Sequence, residues 1–255
     1  MTTARTLTLA FSALSAIGLA AATPALAQPV KEDGQWRGSV NAGLSAASGN
    51  TTSASINASA NATWADHINK FTASFTGLYG TETDNDGNKS TSNNLFRANA
   101  LYTHNLNERV YTFGSLDLER NELQDLNFRS SIAGGMGYHV IRRTDETFNV
   151  FGGLSYNYER YKTEQRNYPE LVLGQEWNRK VSDTVSFNER FAVYPNLGYP
   201  GYFRTQLDVG LTTKLSDRLN LNVSLQNRYQ NHPVYQVKKM DTLFVTSIGY
   251  TFGAK

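Results

Sequence analysis

LFVTSIGYTF, residues 243–252, alternates without a break. Phe244, Thr246, Ile248, Tyr250 and Phe252 fall on one side of an extended segment, and Val245, Ser247, Gly249 and Thr251 on the other, the period of two that marks a strand. The larger face becomes more aromatic toward its end, and Gly253, Ala254 and Lys255 follow. What such a strand means depends on whether the chain before it alternates in the same way.

The N-terminal residues set the compartment. Arg5 is the sole charge before Lys31, a mostly apolar run covers residues 7–22, and Ala25, Leu26 and Ala27 end it with small residues at the positions that determine cleavage. This is the pattern of a secretory signal peptide over residues 1–27, which leaves 28–255 as the mature domain. A membrane anchor is the other use of an apolar run, but this one is short and rich in Ala and Ser. Without Arg5 the basic residues exceed the acidic ones by one, so charge gives no footprint for nucleic acid. The chain has no Cys, which excludes a disulfide framework and thiolate chemistry. After Ala27 no run approaches the roughly 18 apolar residues of a membrane helix. A membrane barrel and a soluble all-β protein remain.

About twelve alternating segments of roughly ten residues can be placed, the length a tilted strand needs to cross a bilayer. The first two, 36–46 and 52–64, group Val40, Ala42 and Leu44, then Ile56, Ala58, Ala60 and Ala62, against a polar face of Ser55, Asn57, Ser59 and Asn61. Phe71, Phe75 and Tyr79 share a face of the third segment, Phe96 and Tyr102 of the fourth, Ile132, Met136 and Tyr138 of the sixth, and Val150, Leu154 and Tyr156 of the seventh. The fifth, 110–120, sets Tyr111 and Phe113 on one parity and Leu116 and Leu118 on the other, which suggests a bulge. The eighth and ninth run over 171–177 and 185–193. The tenth and eleventh, from Phe203 and Leu219, set Leu and Val against Arg, Gln, Asp and Asn.

The connections choose between the two folds. Every second one is short and polar, at 65–69, 105–108, 142–145, 178–183 and 216–218, while others are longer, at 80–89, 159–169 and 229–241. Short turns at one end, long loops at the other and an even strand number are the arrangement of an outer-membrane barrel, with both termini periplasmic. Trp64, Tyr102, Tyr111, Tyr138, Trp177, Tyr250 and Phe252 fall near one rim, and Tyr79, Tyr156, Tyr158, Tyr194, Tyr202 and Tyr229 near the other, as two interfacial girdles would. The expected fold is therefore all-β, an antiparallel transmembrane β-barrel of about twelve strands in the bacterial outer membrane.

In that setting Gly249, Tyr250 and Phe252 resemble the closing-strand signal by which the barrel assembly machinery recognises its clients. The chain as a whole resembles the YdiY-like salt-induced outer membrane proteins, a family classed as a domain of unknown function. The resemblance rests on Trp36-Arg37-Gly38 with Gly43 and Ser48-Gly49-Asn50-Thr51, on Leu116-Asp117-Leu118-Glu119-Arg120 leading to Gly134-Gly135-Met136-Gly137-Tyr138, and on Gly249-Tyr250-Thr251-Phe252. It implies an outer-membrane barrel in contact with lipid and lipopolysaccharide, and transfers no activity, substrate or cofactor.

If the apolar faces meet lipid, the interior receives Arg97, Asp117, Glu119, Arg129, His139, Glu176, Arg190, Arg204, Asp208, Lys214 and Arg228, because a charge facing lipid at mid-bilayer costs several kcal/mol. These charges make either a structural network that fills the lumen or a polar pore whose basic excess favours anionic or neutral solutes. Twelve strands lie between the barrels that side chains fill and the sixteen-stranded porins. The expected function is passive passage of small polar solutes, or a structural role in the envelope under osmotic stress. A lipid-modifying hydrolase is the alternative, and it needs a base, a nucleophile and an orienting partner within reach. His67, His104, His139 and His232 sit in no nucleophile motif. Glu189 shares parity with Phe187, Phe191 and Val193, which implies a bulge, an outward site or a subunit interface. No metal is expected: residues 82–87 lack the bidentate Glu of a calcium loop. A third class, a surface-binding protein, would act through residues 229–241.

Overall fold

The computed structural model describes residues 31–48, 53–83, 89–121, 126–162, 164–233 and 238–253. The expected signal peptide and the 82–87 loop tip lie wholly or largely outside them. Twelve strands follow one another: β1 (Arg37–Ser48), β2 (Ser53–Ala65), β3 (Asn69–Thr83), β4 (Lys89–Asn105), β5 (Val110–Asn121), β6 (Leu126–Arg142), β7 (Glu146–Tyr161), β8 (Gln165–Lys180), β9 (Val185–Pro195), β10 (Phe203–Lys214), β11 (Leu219–Gln230) and β12 (Met240–Gly253). Each pairs antiparallel with the next, and β12 returns to β1 to close the barrel. The closing seam runs from Arg37 opposite Gly253 to Ser48 opposite Thr242 without a shift. Closure leaves no edge strand to be capped.

Alternation sorts every strand into two faces. Leu44, Ile56, Ile132, Leu154 and Ile248 stand more than half exposed, while Ser45, Ser55, Asn57, Asn61, Ser131 and Asn157 are buried. An apolar outside around a largely polar inside, broken by a buried cluster of Leu78, Leu95 and Leu243, is the inverse of a soluble protein, and it suits a barrel whose solvent is lipid.

The five connections β2–β3, β4–β5, β6–β7, β8–β9 and β10–β11 define the turn end, and the other six define the loop end. The turns are built by side chains that accept backbone N–H bonds two or three residues ahead. Asp66 Oδ1 accepts from the amides of Ile68 (2.8 Å) and Asn69 (2.6 Å), and Asn107 Oδ1 from those of Arg109 and Val110 (both 2.9 Å). Ser182 and Ser216 repeat the device on the amides of Val185 and Leu219.

Those two amide bonds hold the Asp66 carboxyl below the usual carboxylate range. A folded-state value depressed below the unfolded one gives a contribution complete above about pH 4 and lost as pH falls through the folded value. Asp66→Ala is therefore expected to flatten the acid limb of barrel stability, measured as the unfolding midpoint against pH below 5.

Ahead of β1, residues 31–36 form a strap at the turn end. The Gly34 amide donates to Ala65 O (2.7 Å), Trp64 Nε1 donates to Gly34 O (2.8 Å), and Glu32 pairs with Arg142 at the end of β6 (2.7 Å).

Three expectations are corrected. Residues 159–169 are almost wholly strand: β7 runs on to Tyr161 and β8 begins at Gln165. Pro169 is tolerated inside β8 because continuous pairing with β9 starts only at Leu173, so the missing N–H deprives no ladder on that side. In β5 the register shifts only at the loop end, between Glu119 and Asn121, so no mid-strand bulge explains the mixed parity. Tyr111 and Phe113 face inward instead, and Tyr111 with Tyr194, both below 10% exposed, leave the expected girdles.

Candidate site in the barrel interior

The interior has two unlike sectors. From β4 to β8 it is charged and aromatic. Arg97 of β4 pairs with Glu119 of β5 (2.9 Å), and Glu119 with Arg129 of β6 (3.0 Å). Arg129 Nε donates to Glu159 of β7 (2.7 Å), which also accepts from the hydroxyls of Tyr168 (2.7 Å) and Tyr161 (3.1 Å). Each link joins side chains of similar height on adjacent strands. Arg204 of β10 continues the belt past β9: its Nε and Nη2 donate to Glu170 of β8 (3.0 and 2.7 Å), Asn157 Nδ2 donates to the same carboxylate, and the guanidinium lies 3.9 Å from the Tyr194 ring centre. Arg228 of β11 donates to Asp208 of β10 and to Leu207 O.

Buried guanidiniums meet buried carboxylates one for one here, so the belt holds no basic excess; Glu159 and Asp208 are 1% exposed. A buried charge stripped of its partner is far more costly than one left in water, so such a belt is rigid.

Aromatic rings fill the sector below the belt. Tyr111 stacks on His139 (4.7 Å), and Phe113 meets Phe151 edge-on (5.9 Å). Tyr111 has room because it lies over Gly137: a Cβ on Gly137 would come 2.1 Å from its ring. Arg190 stands over the Phe151 ring at 5.1 Å.

Away from the belt, the inner faces of β1 to β3 and of β9 to β12 carry mainly uncharged side chains, Asn, Ser and Thr beside an apolar cluster of Leu78, Leu243 and Val245. Asn222 Nδ2 donates to Asn41 Oδ1 (3.2 Å), spanning β12 between them, and Asn41 donates to Ser59 (3.2 Å). Gly249 makes that reach possible, because a Cβ there would sit 2.1 Å from Asn41 Oδ1. Asn41, Asn61, Ser74, Thr76, Asn222 and Gln226 border a cavity of about 70 Å³. At about 10–15 Å³ per water, it has room for several.

The eleven sequence candidates thus separate. Arg97, Glu119, Arg129, Arg204, Asp208 and Arg228 join the belt. Asp117 accepts from Asn99 (2.8 Å), Glu176 from Asn178 (3.1 Å), and Arg190 stays with the aromatic rings. His139 contacts Asn149 (2.7 Å) and Asn105 (3.1 Å), and Lys214 is exposed at the end of β10. Sequence reasoning misses Glu159, Glu170, Tyr161 and Tyr168, because it reads 159–169 as a connection and starts the eighth segment only at Leu171. The alternation of Ser155, Asn157 and Glu159 with Tyr156 and Tyr158 was the available signal.

Glu189 faces outward. β9 pairs with β8 and β10 without a register shift, which removes the bulge, and Gln175 of β8 donates to the Glu189 carboxyl (3.2 Å) between Phe187, Phe191 and Trp177. Neither residue has a hydroxyl nucleophile opposite it in the ladder: Glu189 faces Trp177 and Val209. Glu189→Leu is expected to stabilise the barrel by about 1 kcal/mol in bilayers, read from the urea midpoint of refolded protein, since an acidic group on the lipid face is unfavourable. His139 lies against the side-chain amides of Asn149 and Asn105 and the ring of Tyr111. Among the described residues no group of three or more His, Asp or Glu is placed to hold a metal.

The geometry has relatives. Residues 40–252 match the family model described as "Protein of unknown function, DUF481". The uncharacterized protein YdiY of Escherichia coli (strain K12) is 21% identical over 245 residues, covering 94% of this chain and 93% of its own length. Among solved structures, the NanC porin superposes with a TM-score of 0.54 at 8% identity, over 83% of this chain and 98% of its own. The translocator domain of the autotransporter NalP from Neisseria meningitidis gives a TM-score of 0.51 at 12% identity, over 86% and 88%. At such identities the likeness is one of fold, the closed barrel of outer-membrane proteins.

Proposed function

Since the chain belongs to the DUF481 family of proteins of unknown function, we propose, from its interior rather than from its relatives, that it is a narrow passage through the outer membrane for small polar solutes without net charge. The turn end then faces the periplasm and the apolar outer face meets lipid and lipopolysaccharide. Tyr250 and Phe252 close the barrel as the signal for the assembly machinery.

The uncharged sector carries this reading. The belt pairs its charges and so offers transiting ions no free counter-charge, whereas the Asn and Ser side chains border a cavity with room for several waters and present donors and acceptors that a neutral solute can exchange for water. The tight belt itself supports a second reading, a structural envelope protein that resists osmotic stress.

Conductance of the refolded mature protein in planar bilayers separates the two. Small stable steps with weak ion selectivity are expected. Asp208→Ala frees Arg228 and should shift selectivity toward anions, and Arg204→Ala frees Glu170 and should shift it toward cations. Silence from a folded, heat-modifiable barrel would end the passage reading and leave the structural one.

A further inference from the structure

A second cavity, of about 220 Å³, opens at the loop end between the β7–β8, β9–β10 and β11–β12 connections. Its wall is aromatic. Tyr202 lies parallel to His232 at 4.0 Å and 4°, Tyr199 stacks on Tyr202 at 5.7 Å, and Tyr168 meets Tyr199 edge-on at 6.3 Å. The Arg204–Glu170 pair forms the floor, and Arg166 with Glu164 (2.6 Å) lies at the rim.

This wall is locked by its own loops. Asn196 Oδ1 accepts from the amides of Gly198 and Tyr199 (both 2.9 Å), and Asn231 accepts from the Phe203 amide (2.8 Å) while donating to Gly201 O (2.7 Å). Yet Tyr199 and Tyr202 remain 46% and 37% exposed. Rings held rigid yet still more than a third exposed present a preorganised amphipathic surface to whatever enters.

Three properties define the ligand. Flat aromatic faces beside hydrogen-bonding groups suit a ring with one apolar face and a polar circumference. Two guanidiniums and two carboxylates, each already paired, leave the cavity without net charge, while guanidinium N–H donors and carboxylate lone pairs remain to be used. The volume is below the roughly 300 Å³ at which pockets take drug-sized molecules, so one small ring fits.

We propose that this mouth binds a neutral pyranose unit of a saccharide, its apolar face against the Tyr199–Tyr202 stack and its hydroxyls on Arg166, Glu164 and Arg204. The site takes in Gln230, Asn231 and His232, and so gives a chemistry to the surface-binding role considered for 229–241.

The test uses the refolded barrel in an amine-oxide detergent, which has no sugar headgroup to compete. Maltose and a lipopolysaccharide core oligosaccharide are titrated separately by calorimetry. Saturable binding in the millimolar range, lowered at least tenfold by Tyr202→Ala in a barrel that keeps its heat-modifiable gel shift, is the expected result. Maltose binding would identify a free saccharide as the source, and binding of the core oligosaccharide alone a surface glycan. No saturation with either probe, or binding unchanged in Tyr202→Ala, would overturn the proposal. Binding here needs no open lumen, so its failure and the failure of the passage reading are separate results.

Discussion

Arg129→Ala is expected to lower barrel stability by about 3–5 kcal/mol, the size seen when a buried ion pair loses one partner. Arg129 sits between Glu119 and Glu159 at 3.0 and 2.7 Å, and both carboxylates are almost fully buried. Its removal leaves two acids facing each other across the space of one guanidinium, with only Arg97 and two tyrosine hydroxyls as remaining partners. Urea unfolding of the refolded protein in bilayers, followed by the heat-modifiable band, measures the loss. Arg129→Lys should recover less than half of it, because an ammonium on a flexible stem cannot span both carboxylates as a planar fork does. A loss under about 1 kcal/mol would mean that water reaches the belt and that the interior is far less tightly filled.

Gly137→Val is the second large effect, about 1–3 kcal/mol destabilising, because overpacking forces side chains off their rotamers. The new Cβ would stand 2.1 Å from Tyr111, whose ring is itself held by His139. The diagnostic is the double variant: Tyr111→Ala alone opens a void, but combined with Gly137→Val the two should cost clearly less than their sum. Strict additivity would show that Tyr111 does not lie over Gly137.

Tyr111 also marks the limit of what one sequence shows. Alternation made the twelve strands, the polar interior and the sorted turns visible, because a strand's two faces are a local property. The partner of an inward aromatic is not local: nothing in residues 110–120 says that Gly137, one strand away, leaves it room, so mixed parity resembled a bulge. The strand character of 159–169 is hidden in the same way, since the tolerance of Pro169 depends on where β9 begins to pair. For the charges, the inward direction could be argued from residue type, but pairing depends on register, so an apparent basic excess becomes a matched belt. The parity of Glu189 was legible, and only the neighbouring strand supplied Gln175. The aromatic mouth is not legible in one sequence, for Tyr168 comes from β8, Tyr199 and Tyr202 from the β9–β10 connection and His232 from the β11–β12 connection.

The strap of residues 31–36 bears on the shape of the ring's cross-section. A cylinder held by bonds between neighbouring strands can flatten from circular to oval without breaking any of them. Glu32, just ahead of β1, grips Arg142 at the end of β6, five strands further round, and so draws a chord across the circle. That chord fixes one diameter at the turn end. It is a partly exposed ion pair, and screening at about 0.15 M salt already acts over about 8 Å. Ionic strength therefore reaches the cross-section at the turn end through an ion pair that belongs to no strand ladder.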